Sequence, residues 1–310
     1  MDSPVVCKEC EREFQNDKGL HLHLKSHKTS IPDYYLKFFP RKDLKTGEPI
    51  KFIDKDQYFS SDFNSRKNFN IWINESEFDE VKSYLEMRIE RLYSKRDPRF
   101  EISSSELESL GEVDILTYDK YLGGYYEYVQ KLTKTKRFSN DIRFDPELSV
   151  NESVIIDNRE QNPFNIKNSK FGTLKFGDYC LEDENLSGRL RIERKSAFDF
   201  IQTMISGFAR FQKEIKLAEK KGYYLVVLVE APIRKLLRPE YHKFSKANPQ
   251  YYFHNMRKLC QENKNLQFVF CSGRTESQDR CRIILEQGKE LQKTDIHYNF
   301  KKYDLLPAEL

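Results

Sequence analysis

A glutamate and a lysine separated by one position, Glu193 and Lys195, stand at the end of an apolar segment. Metal-dependent nucleases need such a pair, because a carboxylate can hold a divalent cation while an ammonium counters the charge of the scissile phosphate. By itself this spacing is a weak signal, since 33% of the residues in the chain are charged. Its value depends on the motifs that accompany it.

Two further motifs precede this pair. The first is D-N-R-E at 157–160, which ends an apolar segment, and the second is G-D at 177–178. The third contains the pair itself and reads E-R-K-x-x-x-D at 193–199. In this order the three motifs resemble those of the XPF family of structure-selective DNA endonucleases, within the PD-(D/E)xK superfamily. The resemblance implies a metal-dependent endonuclease that acts on branched or otherwise structured DNA.

The expected strands bring two of these carboxylates together. Residues 171–182 and 189–194 have the composition of strands, with a turn between them. If this hairpin is symmetric, Asp178 lies directly opposite Glu193, and their Cβ atoms are about 5 Å apart. Lys195 leaves the same face of its strand as Glu193, two residues earlier. The spacing therefore predicts two carboxylates and an amine at one spot.

We expect Asp178 and Glu193 to hold a magnesium or manganese ion, because hard divalent cations prefer carboxylate oxygens. In the same interpretation Glu160 is a further ligand, directly or through a water molecule, and Asp157 tunes or shares the site. Whether one metal ion or two would bind stays open. The alternative is an ordinary patch of solvated ion pairs.

The remaining charged residues of the motifs have predicted supporting roles. Lys195 would orient or deprotonate the attacking water and counter the charge of the phosphate. Alternation along the strand points Arg194 away from Lys195, so that it is structural or contacts a phosphate. Asp199, one helical turn later, could hold Arg194 or Arg159 in place. Simple surface charge is the alternative for Arg194 and Asp199.

The segments around these motifs predict an α/β fold, with a restriction-endonuclease-like mixed sheet flanked by helices. A near-continuous apolar strand at 223–230 is typical of a sheet that is covered on both faces. A long amphipathic helix is expected after Lys195, with apolar residues at helical spacing over 201–215. Further along the chain we expect a helix at 253–262, a strand at 266–271 and a helix at 275–288.

The N-terminal residues have the spacing of a ββα zinc finger. The pattern is C-x2-C-x12-H-x3-H, with apolar residues where such a finger has its small core, Phe14 and Leu20. A module of this size depends on its metal to fold. We therefore predict a structural zinc ion whose ligands are Cys7, Cys10, His23 and His27.

The role predicted for the finger is docking rather than sequence recognition. The positions that read bases in such fingers correspond to Asn16, Gly19 and Leu22. A glycine offers no side-chain contact and a leucine offers no hydrogen bond, so base readout is poorly served. Non-specific nucleic-acid binding and a protein partner both stay open.

Composition limits the class of protein. The 310 residues carry a net charge of +4, which permits nucleic-acid binding without indicating it. No apolar run is long enough to span a membrane, so we expect no membrane partner. Four cysteines outside the finger have no metal-binding spacing and indicate a reduced, intracellular protein. The location would be cytoplasmic in a bacterium or phage-infected cell, and nuclear in a eukaryote.

We expect four segments: the finger at 1–30, a small, mostly helical middle region at 31–149, the nuclease domain at 150–290 and a tail at 291–310. The middle region could bind substrate or partner, and its start resembles segments that follow N-terminal fingers in bacteriophage-encoded proteins. XPF relatives commonly carry helix-hairpin-helix modules after the nuclease core, which support dimerisation. Few residues follow the core here, so a homodimer through the nuclease domain stays open.

Two functions compete at this point. The first is a magnesium-dependent DNA endonuclease, with RNA still open as a substrate. The second is a non-catalytic nucleic-acid-binding or adaptor protein with a nuclease-like fold. The intact Asp178, Glu193 and Lys195 favour the enzyme, since a decayed site would have lost one of them. A basic segment at 234–246 is a further candidate for DNA contact, with a solvated loop as the alternative.

Overall fold

A computed structural model describes residues 5–39, 72–96, 98–139, 144–145, 147–148, 151–237 and 248–306. The chain divides into two compact units, Met1–Val81 with Leu310, and Lys82–Glu309. No helix among the described residues has both the length and the apolar composition needed to cross a membrane. Most of the predicted basic segment at 234–246, namely residues 238–246, lies outside the described ranges.

The first unit contains the predicted ββα finger. Strands β1 (Val5–Val6) and β2 (Glu13–Phe14) pair antiparallel, and helix α1 (Asp17–His23) continues into a 3-10 turn at Leu24–His27. Leu20 is buried and Phe14 packs against the same small core, which confirms the two expected core positions.

A further helix, α2 (Ile31–Phe38), packs on the finger. Its Tyr34 is fully buried in the finger core, and the Tyr34 hydroxyl accepts a 2.7 Å hydrogen bond from the backbone N–H of Lys8. At the finger surface Lys37 forms a 2.8 Å ion pair with Glu9. The folded finger module thus extends beyond residue 30. The spacing of the metal ligands could not predict this, because the last ligand is His27.

Helix α3 (Phe78–Arg96) crosses the boundary between the units, and three more helices follow it in the second unit, which fits the expected helical middle region. They are α4 (Ser104–Ser109), α5 (Ile115–Leu122) and α6 (Tyr125–Thr133). Helix α4 is polar yet buried along its whole length. Its Glu108 forms an ion pair with Lys301, and its Glu106 lies 3.3 Å from Arg137.

The second unit is built on a six-stranded mixed sheet in the order β4-β3-β5-β6-β7-β8. Strand β5 runs antiparallel to both of its neighbours, whereas the pairs β3–β4, β6–β7 and β7–β8 are parallel. The strands are β3 (Val154–Asp157), β4 (Ser169–Gly172), β5 (Tyr179–Leu181), β6 (Leu190–Lys195), β7 (Tyr224–Val229) and β8 (Leu266–Phe270).

Helices cover both faces of this sheet, which confirms the predicted α/β class with a mixed, flanked sheet. The helices of this part are α7 (Glu184–Ser187), α8 (Ala197–Ile205), α9 (Phe208–Lys220), α10 (Ile233–Leu237), α11 (Pro249–Glu262), α12 (Arg274–Gln287), a 3-10 helix at Gly288–Lys293 and α13 (Ile296–Lys302). Alternate residues of β7 enter two cores, with Val226 on one side and Val227 on the other. Ile296 and Phe300 complete the core on the side of Val226.

Two expected elements are each divided in the structure. The long strand at 171–182 is instead β4 and β5, with β3 between them in the sheet. A loop separates the two because Gly177 has a positive φ of 68°, and a Cβ there would lie 2.9 Å from the carbonyl oxygen of Ile192. The long helix after Lys195 breaks at Gly207, where a Cβ would lie 3.1 Å from Thr203 Cα.

Candidate active site

A cavity of about 420 Å³ opens where β6 ends and α8 begins. Six of the seven predicted site residues line it, namely Glu160, Asp178, Glu193, Arg194, Lys195 and Asp199. The seventh, Asp157, is not among the lining residues. The motifs are far apart in sequence, and strand pairing brings them to one cavity.

The two central carboxylates lie next to the point where β5 and β6 pair. Tyr179 pairs with Ile192, as the symmetric hairpin predicts, and the backbone N–H of Asp178 donates a 2.7 Å hydrogen bond to the carbonyl oxygen of the same Ile192. Asp178 and Glu193 are therefore the residues next to this pair, at the same end of the two strands. Burial raises the pKa of Asp178 to about 7, and the nearby charge of Glu193 contributes to the increase. Both carboxylates thus line one cavity, where their mutual repulsion and burial disfavour ionisation of Asp178.

Lys195 lies on the same side of β6 as Glu193, as alternation predicts. Its ammonium Nζ donates a 2.9 Å hydrogen bond to Glu193 Oε1 and lies 4.8 Å from the ring centroid of Phe211. Lys195 is only 8% exposed. The carboxylate and the aromatic ring together hold this cation at the wall of the cavity.

Arg194 points to the other side, where it is bound between two carboxylates. Its Nε and Nη2 donate to the Glu160 carboxylate at 3.2 and 3.1 Å, and its Nη1 lies 3.3 Å from Glu230 Oε1. Glu160 is therefore paired with Arg194 rather than directed at Asp178 and Glu193. Glu230 was absent from the sequence prediction, and its only signal is its position directly after the apolar strand β7.

Asp157 and Asp199 have structural contacts. Asp157 accepts hydrogen bonds from the Arg159 side chain at 2.7 and 3.1 Å and from two backbone N–H groups, those of Arg159 and Leu174. The hydrogen bond from the Arg159 side chain contributes most to the lowered pKa of Asp157. Asp199 pairs with Ser196 at the start of α8, with 2.7 Å between the side-chain oxygens. Asp199 could have held Arg194 or Arg159, but in the structure Asp157 binds Arg159, and Arg194 is bound by Glu160 and Glu230.

Helix α9 carries one charged residue that lines the cavity and a second that is influenced by the charge of Glu193. Arg210 lines it and is exposed. Glu214, one turn later, is half-buried, and burial raises its pKa, with the charge of Glu193 as the second cause. Neither Arg210 nor Glu214 is among the predicted site residues, because helical spacing alone does not separate a site residue from a solvated one.

The four predicted zinc ligands meet in the first unit. Their ligand atoms lie within 4.8 Å of one another and could hold a metal ion. Cys7 Sγ is 3.7 Å from His27 Nε2, Cys10 Sγ is 3.1 Å from His23 Nε2, and the two Nε2 atoms are 3.0 Å apart. A tetrahedron with zinc–sulfur and zinc–nitrogen bonds has edges of about 3.3–3.8 Å. Two thiolates and two imidazoles at such distances fit zinc.

Over the ranges that the structure describes, these four residues are the one group of three or more potential ligands gathered so closely. The carboxylates of the cavity are more dispersed, because Arg194 binds Glu160 and Lys195 binds Glu193.

In the structure too, the side chains at the base-reading positions of the finger are unsuited to form hydrogen bonds with bases. The Asn16 side chain caps α1 by accepting a 3.1 Å hydrogen bond from the backbone N–H of Gly19. Leu22 is 67% exposed. The side chain best suited to read a base is therefore already bonded within the finger.

Comparison with known proteins gives distant structural likenesses only. No protein-family model matches the chain, and no curated protein matches it. The chain is similar to the solved structure of XPF from Aeropyrum pernix at 18% identity and a TM-score of 0.30, over 48% of this chain and 65% of that one. XPF from Aeropyrum pernix in complex with DNA gives 17% identity, a TM-score of 0.30, and 49% and 66% coverage. The chain thus spans just under two thirds of these proteins.

Proposed function

We propose that this protein is a magnesium- or manganese-dependent endonuclease that hydrolyses phosphodiester bonds in DNA, with branched or otherwise structured DNA as its substrate. The observation that carries the proposal is the gathering of Asp178, Glu193 and Lys195 at one cavity, next to the Tyr179–Ile192 pair. The nearby charge of Glu193 raises the pKa of Asp178, and a cation bound by both carboxylates would offset their repulsion.

The cation that fits this pair is a hard divalent ion, since both ligands are carboxylates. The raised pKa of Asp178 has burial and the charge of Glu193 as its first two causes, and a bound cation would relieve both. When bound, the ion supplies positive charge to the phosphate oxygens and acidity to a coordinated water. The cysteine and histidine ligands of the finger suit zinc in a separate, structural role.

The protein's own residues supply the rest of the chemistry. Lys195 is held at the cavity wall by Glu193 and Phe211, so its ammonium is positioned to counter charge on the phosphate. Arg159 and Arg210 line the opening, and the Arg159 side chain is 71% exposed although Asp157 anchors it. Two exposed arginines beside the cavity favour contacts with backbone phosphates on either side of the cut.

We further propose that the protein is intracellular. Cys180, Cys260, Cys271 and Cys281 are all buried and not in disulfides, which suits a reducing compartment. The finger would add a non-specific nucleic-acid contact or bind a protein partner.

The test is a cleavage panel of labelled single-stranded, duplex, flap, fork and RNA substrates, with magnesium, manganese or EDTA. We expect metal-dependent cutting of DNA, and loss of cutting with retained DNA binding in Glu193→Gln. The matched control is Glu262→Gln, because Glu262 pairs with Lys216 and Gln212 and does not line the cavity. Folded, zinc-loaded protein that binds DNA but cuts no substrate with either metal would favour the adaptor function instead.

A further inference from the structure

Four charged side chains form a row of three ion pairs beside the cavity, in the order Glu160, Arg194, Glu230 and Arg274. We call this row the ring, because Arg274 binds back to the backbone of the loop that follows Glu160. Glu230 Oε1 is shared, at 3.3 Å from Arg194 Nη1 and 3.0 Å from Arg274 Nη1. Arg274 Nη2 donates to two backbone carbonyl oxygens, those of Asn162 and Pro163, at 2.9 and 2.7 Å. These two hydrogen bonds close the ring at the loop that follows Glu160. The ring contains two carboxylates and two guanidinium groups, so its net charge is zero.

The ring is largely shielded from water. The side chains of Glu160, Arg194 and Glu230 are only 6%, 10% and 11% exposed. A guanidinium in such surroundings needs a carboxylate, because an uncompensated buried charge is strongly destabilising. Arg194 has two, so it keeps Glu230 as a carboxylate partner, shared with Arg274, whenever Glu160 is engaged elsewhere.

Glu160 is also placed where it could bind a cation in the cavity. It lines the same cavity as Asp178 and Glu193, and its present partner, Arg194, is the residue between Glu193 and Lys195. A cation bound by Asp178 and Glu193 would compete with Arg194 for the carboxylate of Glu160.

We propose that Glu230 is a positioning residue, which retains Arg194 when Glu160 turns from Arg194 to the divalent cation. This inference rests on the proposed function, because it concerns the same cation. It adds the residue that directly follows β7 to a site otherwise built from the three motifs. Glu230 acts through Arg194 and touches neither the cation nor the substrate.

The test measures metal affinity directly, by calorimetric titration of manganese into the full-length, zinc-loaded protein without nucleic acid. In Glu230→Gln, Arg194 has Glu160 as its remaining carboxylate, so we expect manganese affinity to fall by about tenfold or more. Glu230→Asp should recover part of the loss. Glu262→Gln removes a carboxylate outside the ring and should bind manganese like the wild type.

A double-mutant cycle separates this role from a simple change of local charge. In an Arg194→Gln background Glu160 is already released, so adding Glu230→Gln should leave manganese affinity unchanged. A tenfold loss that persists in this background would overturn the proposal. If Glu230→Gln does not fold, as judged by circular dichroism, the Glu230→Asp variant completes the same cycle.

The remaining outcomes separate the inference from the proposed function. Equal manganese affinity in the wild type and in the Glu230 variants would overturn the role of Glu230 and leave the nuclease proposal standing. A wild-type protein that binds no manganese beyond the finger site would overturn both.

Discussion

The backbone N–H of Arg194 donates a 2.7 Å hydrogen bond to Asp178 Oδ2. The side chain of the same arginine neutralises Glu160. One residue thus orients one carboxylate of the cavity through its main chain and holds a second through its guanidinium. The main-chain bond does not depend on the type of side chain, so an Arg194 variant should change Glu160 while leaving the position of Asp178 intact.

Replacing Lys195 with alanine should reduce cleavage by about 10²- to 10⁴-fold, because the site loses the ammonium that counters charge on the phosphate. DNA affinity should change little, since this contribution is made mainly in the transition state. Single-turnover cleavage and fluorescence anisotropy measure the two quantities. Full activity in the purified variant would remove Lys195 from the chemistry.

Replacing Cys10 with serine should cost one zinc ion per chain and unfold the finger, yet leave the second unit folded. The reason is that the finger has thiolate and imidazole ligands, whereas the cavity offers carboxylates. Metal analysis and thermal melting test this. If the finger docks DNA, the variant should bind DNA more weakly but still cut at high enzyme concentration. Complete unfolding of the chain would contradict the independence of the two sites.

A finger peptide that includes α2 should bind zinc at least about tenfold more tightly than one that stops at residue 30. Burial of Tyr34 in the finger core contributes about 1.5–3 kcal/mol, and metal binding and folding are coupled in such modules. Competitive titration with a chelator gives the two affinities. Tyr34→Ala in the longer peptide should remove the gain, and equal affinities of the two unmutated peptides would show that α2 contributes nothing.

Acid should weaken the second unit through Glu108. Burial opposes ionisation of this group, but the charges of His297 and Lys301 prevail and lower its pKa to about 2. Because the folded pKa lies below the unfolded value of about 4.3, the stabilisation is complete above pH 4.3 and is lost as the pH falls towards 2. Glu108→Gln should therefore cost about 3–5 kcal/mol of unfolding free energy at pH 7. Denaturant melts should show the wild-type advantage shrinking below pH 4, and a constant difference between pH 7 and pH 2 would exclude this mechanism.

Much of the central site could be predicted, because it depends on local spacing. The pairing of Tyr179 with Ile192, which sets Asp178 and Glu193 at the same end of their strands, follows from the symmetry of one hairpin, and the side of Lys195 follows from strand alternation. The cluster of two cysteines and two histidines was predictable for the same reason, since its spacing repeats a known module.

The contacts that could not be predicted join distant parts of the chain. Glu230 meets Arg194, and Arg274 meets Glu230, only because β7 lies next to β6 and α12 follows β8, an arrangement that periodicity does not specify. The position of β3 between β4 and β5 was missed because an insertion into a sheet has no local signature. Gly177, whose close approach to β6 requires a glycine, offered the one local hint.

The contribution of α13 to the core has a consequence for synthesis on the ribosome. Ile296 and Phe300 fill the sheet face that also contains Ile192, so this core stays incomplete until these two residues have emerged. Helical segments and the finger can form earlier, because their contacts are local. A nascent chain therefore carries the motif residues for many seconds before their sheet is fully packed, and a stop codon ahead of Ile296 should leave an aggregation-prone fragment rather than a shorter enzyme.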